Sequence, residues 1–230
     1  MSRVSNKIGF TLIELMLAMV FVSALLVAIA MTVMQISGIY NRGLTLKGVD
    51  GAGRAITSEL QRVINSSAPF EVSDNFKLQD WGGRLCTGQY SYIWNYGKSM
   101  GNNSDHRNMY TDDDQTKISF VKVFDPGADY CGKINDSGKT IDKSKSVEML
   151  NAGQYELAIH SFEVSSTITA NDAATGQRLY NIKFLLGTNG SETLMPANNS
   201  CKPPSEAGSD ISYCAVNQFN ITARAGNKGE

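Results

Sequence analysis

The sequence predicts an α+β protein in which one long N-terminal helix packs on an antiparallel β-sheet head. Three observations support this fold class. Residues 10–66 contain no proline and change from a predominantly apolar to an amphipathic pattern at about residue 39. After Pro69, apolar and polar residues alternate in short runs that are typical of strands. The four cysteines all lie in this second part of the chain.

The first element is an apolar helix over residues 10–39. Leu15 to Met34 contains no charged residue, and this stretch is long enough to cross a hydrocarbon layer about 30 Å thick as a helix. Arg3 and Lys7 precede it, and positive charge holds that end in the cytoplasm. The sequence therefore predicts a protein of the cytoplasmic membrane, with its N-terminus inside and its head outside.

Glu14 distinguishes this segment from two simpler alternatives. A secretory signal peptide is also basic and then apolar, and Ala28-Ile29-Ala30 imitates its cleavage site. A plain membrane anchor explains the length of the segment. Neither alternative needs a carboxylate at the front of the apolar run, where a charge costs about 2 kcal/mol or more at depth. The position of Glu14 therefore indicates that this carboxylate has a partner.

The run Gly9-Phe10-Thr11-Leu12-Ile13-Glu14-Leu15 resembles the processing site of type IV prepilins and type II secretion prepseudopilins. The resemblance implies a pilin-like fold and a leader, residues 1–9, that a prepilin peptidase removes after Gly9. It implies that the new amino group of Phe10 is methylated, and that Glu14 of one subunit neutralises this amine on a neighbour. The implied partners are other pilin subunits of the filament, the prepilin peptidase, the inner-membrane assembly platform, and membrane lipid before assembly.

Residues 40–66 form the amphipathic half of the predicted helix. Apolar side chains recur there at helical spacing, on a face that we expect to pack on the head. They are Val49, Ala52, Ile56, Leu60, Val63 and Ile64. Five glycines between residues 38 and 53 each weaken a helix by about 1 kcal/mol relative to alanine. We therefore expect a kink or a melted stretch in this part of the helix.

The segment Gly53 to Ile64 resembles the second half of the first helix in minor pilins of the W class and pseudopilins of the J class. The shared residues are Gly53, Arg54, Ile56, Leu60 and Arg62. The sequence departs from the family pattern at Gln61, where an acidic residue often precedes the final basic one. This resemblance favours a minor, low-copy subunit over the major one.

The head comprises residues 67–230. Alternation predicts strands at residues 90–96, 180–186 and 219–223. Residues 117–124 and 155–164 are predicted as further strands with bulges, because their alternation is broken. The aromatic row from Tyr90 to Tyr96 is expected to be core, with an exposed sugar- or surface-binding platform as the alternative.

The cysteines predict an oxidising compartment. An even number of cysteines beyond a membrane segment, with no CxxC pair, favours disulfides over four reduced core cysteines. Four cysteines allow three pairings. By resemblance to the C-terminal disulfide loop of many pilins, we expect Cys201 to pair with Cys214, together with a second disulfide between Cys86 and Cys131.

No catalytic motif, and hence no enzymatic activity or cofactor, is predicted. The two histidines are His106 and His160, and His160 falls in a strand pattern that favours a structural role. A cluster of oxygen ligands suits calcium but matches no EF-hand, so a solvated loop is the default and a calcium site the alternative. Its members are Asp105, Asp112, Asp113 and Asp114. The net charge of −1 gives no reason to expect direct binding of nucleic acid.

The resemblances imply a structural subunit of a type IV pilus. Within that class, a minor pilin that acts in filament initiation or at the tip is favoured, in a filament used for adhesion, twitching motility or DNA uptake. The first alternative is a minor pseudopilin of a type II secretion system. The second is a pilin-stem adhesin, whose head binds a surface ligand. In the pilus interpretation the protein moves from the cytoplasmic membrane to the extracellular pilus.

Overall fold

The computed structural model describes residues 11–100, 108–110, 113–132, 140–150, 156–167, 176–190, 192–195 and 199–226. The chain divides into two compact units, Met1–Asn41 and Arg42–Glu230. Helix α1, Leu12–Asn65, contributes to both units. Its first part makes up nearly all of the described portion of the first unit, and its second part belongs to the head.

Helix α1 is helical at every residue from Leu12 to Asn65, including its five glycines. The predicted melted stretch is therefore wrong. Breaking a helix leaves up to four donors and four acceptors without intrahelical partners, whereas extending a formed helix adds one bond per residue. That gain outweighs a cost of about 1 kcal/mol for each glycine.

Within the described residues, the head follows α1 as short helices and eleven strands. The elements are α2 (Val72–Asn75), β1 (Phe76–Gln79), β2 (Gly82–Thr87), β3 (Tyr90–Asn95), α3 (Gly97–Met100), β4 (Met109–Tyr110), β5 (Asp113–Lys117), β6 (Phe120–Phe124), α4 (Asp129–Gly132), β7 (Thr140–Ile141), a 3-10 helix (Lys143–Lys145), β8 (Ser146–Glu148), β9 (Leu157–Thr167), β10 (Arg178–Thr188) and β11 (Val216–Ala225). The α+β class is therefore confirmed.

The strands form three sheets, with the orders β1-β2-β3-β6-β8, β11-β10-β9 and β5-β4-β7. All pairs are antiparallel except β4 with β7. The first two sheets meet at an isolated parallel bridge between Tyr96 and Ile159. The predicted bulge in residues 155–164 is present, since the β9–β10 register passes from Ser161 to Ile159 and leaves His160 as the extra residue.

One hydrophobic core joins α1 to both large sheets. All six helix residues predicted to face the head are buried in it. A series of stacked rings runs through its centre, from Trp94 to Phe162 at 4.4 Å, on to Phe184 at 5.7 Å and to Phe219 at 5.2 Å between centroids. Gly53 lies so close to the Phe219 ring that a side chain at this position would collide with that ring.

Candidate assembly site

The start of α1 is closed by a reciprocal set of hydrogen bonds between Thr11 and Glu14. The backbone N–H and the hydroxyl of Thr11 each donate to Oε2 of Glu14 at 2.9 Å. The N–H of Glu14 donates back to the Thr11 hydroxyl oxygen at 3.4 Å. This capping box satisfies donors that a helix start otherwise leaves unpaired. Oε1 of Glu14 receives no hydrogen bond from the residues that the structure describes, so the carboxylate keeps one oxygen for another partner.

Gly9 and Phe10, the predicted cleavage and methylation site, lie outside the described residues. The structure therefore places one member of the predicted assembly pair, Glu14, at the first turn of α1. Sequence reasoning missed the role of Thr11. The signal was present, because a threonine followed three residues later by glutamate is the capping-box pattern.

The first part of α1 exposes apolar side chains in all directions. Leu12, Phe21 and Met34 are each more than 70% exposed, and the helix is long and apolar enough to cross a membrane. The hydroxyls of Ser23 and Thr32 donate to the carbonyls of Met19 and Ala28, so neither needs a polar surrounding. A long apolar N-terminal helix that can span a membrane is therefore present.

Both predicted disulfides are present, Cys86 with Cys131 and Cys201 with Cys214. The second disulfide closes a loop with a sequence separation of 13 residues, and a loop of this size stabilises by about 3 kcal/mol in the chain-entropy model. The loop also contacts the helix, because the buried Thr45 hydroxyl donates to the carbonyl of Ser212 at 3.1 Å. The C-terminal loop is thereby fixed to the second half of α1.

Polar groups near the Cys86–Cys131 disulfide form a set of hydrogen bonds. The hydroxyl of Ser91 donates to the buried carboxylate of Asp125 at 2.6 Å. Asp125 also accepts from the backbone N–H groups of Asp129 and Tyr130, at 3.0 and 3.2 Å. These bonds fix the short helix α4, which carries Cys131.

A charged cluster links α1 to the five-stranded sheet. The Lys122 ammonium donates to Oε1 of Glu59 at 2.6 Å, and the Arg62 guanidinium donates to both oxygens of the same carboxylate. Burial acts to raise the pKa of Glu59, but the hydrogen bonds from Lys122 and Arg62 outweigh it and hold the pKa below its usual value. The ammonium also lies 3.7 Å from the centroid of the Tyr90 ring.

The aromatic row of β3 belongs to the core. Tyr92 and Trp94 are fully buried, and Tyr90 and Tyr96 are half-buried against the same cluster. The alternative prediction of an exposed aromatic platform is therefore wrong. The physical reason is that α1 and the second sheet cover this face of β3. A shallow depression on the outer face of the β9-β10-β11 sheet is lined instead by polar groups such as Glu163, Asn181 and Lys183.

His160 is buried in strand β9, where the strand pattern predicted a structural residue, either satisfied or exposed. Its Nε2 lies 3.1 Å from the carbonyl oxygen of Thr188 and donates to it in the neutral tautomer that fits this contact. Burial lowers the pKa of His160, while the Thr188 hydrogen bond opposes that shift in part. His106 lies outside the described residues.

The predicted calcium cluster is only partly within the described residues. Asp105 and Asp112 lie outside them, whereas Asp113 and Asp114 belong to strand β5. Among the residues that the structure describes, no group of three or more histidine, cysteine, aspartate or glutamate side chains is arranged to hold a metal ion. The calcium site therefore stays the untested alternative to a solvated loop.

These features define a class of protein: an apolar helix long enough to span a membrane, followed by an α+β head with two disulfides. No family model, curated protein or solved structure matches the chain. A narrower assignment therefore depends on the sequence of the first turn of α1 and on the physical chemistry of the helix.

Proposed function

We propose that this protein is a structural subunit of a type IV pilus, a minor pilin that acts in filament initiation or at the tip. The observation that carries the proposal is the run from Gly9 to Glu14, at the front of an apolar helix that continues into a disulfide-bonded head. A single-use signal peptide has no need for Glu14, and a simple anchor has no need for the processing sequence. A filament subunit uses both.

Assembly in this proposal depends on one charge pair in an apolar environment. After cleavage, Phe10 carries a positive amine close to the capping box of Thr11 and Glu14. In a parallel array of helices, Glu14 of one subunit lies near the Phe10 amine of its neighbour. An unpaired charge in a medium of low dielectric costs more than an imperfect pair, so neighbouring subunits are selected by this contact. The Oε1 of Glu14, which accepts no hydrogen bond from the described residues, is the oxygen that the neighbour's amine would approach.

The apolar half of α1 has two environments in this proposal. Its side chains are exposed on all sides, so the helix needs an apolar environment all around it. Lipid provides this environment before assembly, and the packed helices of other subunits provide it afterwards. The head stays outside the cytoplasmic membrane, where its disulfides can form and persist.

Processing is tested at Gly9. Mass spectrometry of the wild-type protein should find a mature chain that begins with methylated Phe10. Replacing Gly9 by leucine should leave an uncut precursor that retains Arg3 and Lys7, because a side chain there prevents close approach of the peptidase to the backbone. A matched control is Gly43→Leu, at a helix glycine with open space around it, and this variant should be cut normally. Normal cleavage of Gly9→Leu, or a wild-type chain that begins at Met1, would refute the proposal.

The same filaments identify the kind of subunit. Mass spectrometry of sheared surface pili gives the copy number of this chain relative to the major pilin. A low but reproducible copy number in pili supports the minor pilin. Absence from pili, together with loss of type II secretion when the protein is deleted, would assign it to a secretion pseudopilus instead.

A further inference from the structure

The length of the apolar run in α1 fixes where the outer surface of a membrane would cross the helix. After Glu14 the next charged residue is Arg42. The uncharged helix between them is about 40 Å long, which equals the thickness of a bilayer with its two headgroup layers. When α1 spans a membrane, the outer surface therefore lies near Arg42.

The C-terminal disulfide loop is attached to α1 close to this level. Thr45 is the first buried residue of α1, and its hydroxyl donates to the carbonyl of Ser212 at 3.1 Å. Ser212 belongs to the loop that the Cys201–Cys214 disulfide closes. Thr45 follows Arg42 by three residues, so even a fully extended chain keeps the two within about 11 Å. The loop is therefore held next to the membrane surface.

The residues at this attachment point expose apolar surface. Tyr213 follows Ser212 directly, and it is 49% exposed in spite of its large ring. Leu46 follows Thr45 on α1 and is 43% exposed. Tyrosine is enriched at membrane–water interfaces, because its ring is apolar while its hydroxyl can stay hydrated. An exposed tyrosine at this level of the chain suits the headgroup layer of a bilayer.

Charge does not account for such a contact. The charged residues of this end of the head nearly balance, and they comprise the cations Arg42, Lys47 and Lys202 and the anions Asp50, Glu206 and Asp210. Attraction to anionic lipid is weak where opposite charges cancel within a Debye length. The contact therefore depends on the apolar ring of Tyr213.

We propose that Tyr213, in the C-terminal disulfide loop, inserts into the lipid headgroup layer when α1 spans the membrane. The loop then gives the head a second attachment to the bilayer in addition to α1. The inference goes beyond the proposed function, because it needs a membrane-spanning helix but no filament. A chain that is absent from pili would refute the proposed function and leave this inference standing.

Photo-crosslinking of the full-length chain in lipid vesicles tests the proposal. The photoreactive amino acid benzoylphenylalanine replaces Tyr213, and the vesicles consist of phosphatidylethanolamine and phosphatidylglycerol. Mass spectrometry should find a lipid adduct at position 213. Non-reducing peptide mapping of the same sample should show the Cys201–Cys214 disulfide intact, so that the loop is tested in its folded form.

Two further positions serve as controls. Phe21, in the apolar half of α1, is 71% exposed and should form a lipid adduct in the same vesicles. Phe124, on the head, is 53% exposed and should form none. The reason is its distance from the membrane: Lys122, on the same strand β6, binds Glu59, which is about 21 Å further along α1 than Thr45.

Three results would overturn the inference. The first is a lipid adduct at position 21 without one at position 213. The second is an equal amount of adduct at positions 213 and 124, which would indicate that the head adsorbs to lipid without a preferred side. The third concerns phosphatidylcholine vesicles, in which the adduct at position 213 should persist because it depends on the ring. Loss of the adduct there would assign the contact to the cations instead.

Discussion

The two halves of helix α1 differ in what covers them, although they form one continuous helix. In the first half the apolar side chains are exposed on every side, whereas in the second half the apolar face is buried by two sheets. The second half is therefore stabilised by its own chain. No described residue covers the apolar side chains of the first half. A helix can thus be complete in secondary structure while only part of it has its tertiary contacts.

The largest expected effect on stability comes from filling Gly53, in the covered half. Gly53→Val should destabilise the protein by about 1–3 kcal/mol, because the new side chain displaces the Phe219 ring from its stack on Phe184. Thermal unfolding of the detergent-solubilised chain measures this cost. The double variant, Gly53→Val with Phe219→Ala, should be destabilised by less than the summed destabilisations of the two single variants, because the collision is removed.

Gly51→Ala is the matched control, at an exposed position in the same half of the helix. It should stabilise the protein by up to about 1 kcal/mol, because alanine favours the helix and meets no neighbour. If Gly51→Ala and Gly53→Val destabilise equally, the assignment of the two faces is wrong.

A smaller effect is expected from pH, and it should arise in the head alone. Burial lowers the pKa of His160, so between its folded value and the unfolded value of about 6.5 the unfolded chain binds more protons. Stability should therefore fall as the pH drops below about 6.5. Unfolding measured from pH 7.5 down to pH 5 detects this loss before most carboxylates titrate. The loss should be reduced in His160→Gln, and an unchanged pH profile in that variant would contradict the assignment.

The sequence predicted the covered half of α1 better than the surroundings of β3. Helical spacing alone identified the six buried residues of the amphipathic face, because periodicity is a local signal. Broken alternation likewise predicted a bulge within residues 155–164, which the strand register places at His160. The pairing of Cys201 with Cys214 came from a family resemblance and that of Cys86 with Cys131 was predicted with it, and the structure confirms both.

Alternation failed where distant segments cover both faces of one strand. Ser91 and Asn95 occupy the face of β3 that alternation assigns to solvent, yet both are buried. The side-chain amide of Asn95 donates to the carbonyls of Asn108 and Ile118, at 2.9 and 2.8 Å. No local pattern reveals partners that are 13 and 23 residues away. The melted stretch was predicted wrongly for a related reason, because glycine propensity is local and is outweighed by cooperativity along the helix.

We propose that Glu14 acts between subunits, through its charge. Glu14→Gln tests it most directly, because glutamine can keep the capping box with Thr11 while removing the charge. The measurement is the ratio of this chain in sheared filaments to mature chain in the membrane, by quantitative mass spectrometry. Thr32→Val, a change to a hydroxyl that bonds only within the helix, is the control. We expect Glu14→Gln to be cleaved normally and depleted from filaments at least about tenfold, since an unpaired amine in an apolar environment costs more than the corresponding free energy. Entry of Glu14→Gln into filaments at the wild-type ratio would contradict it.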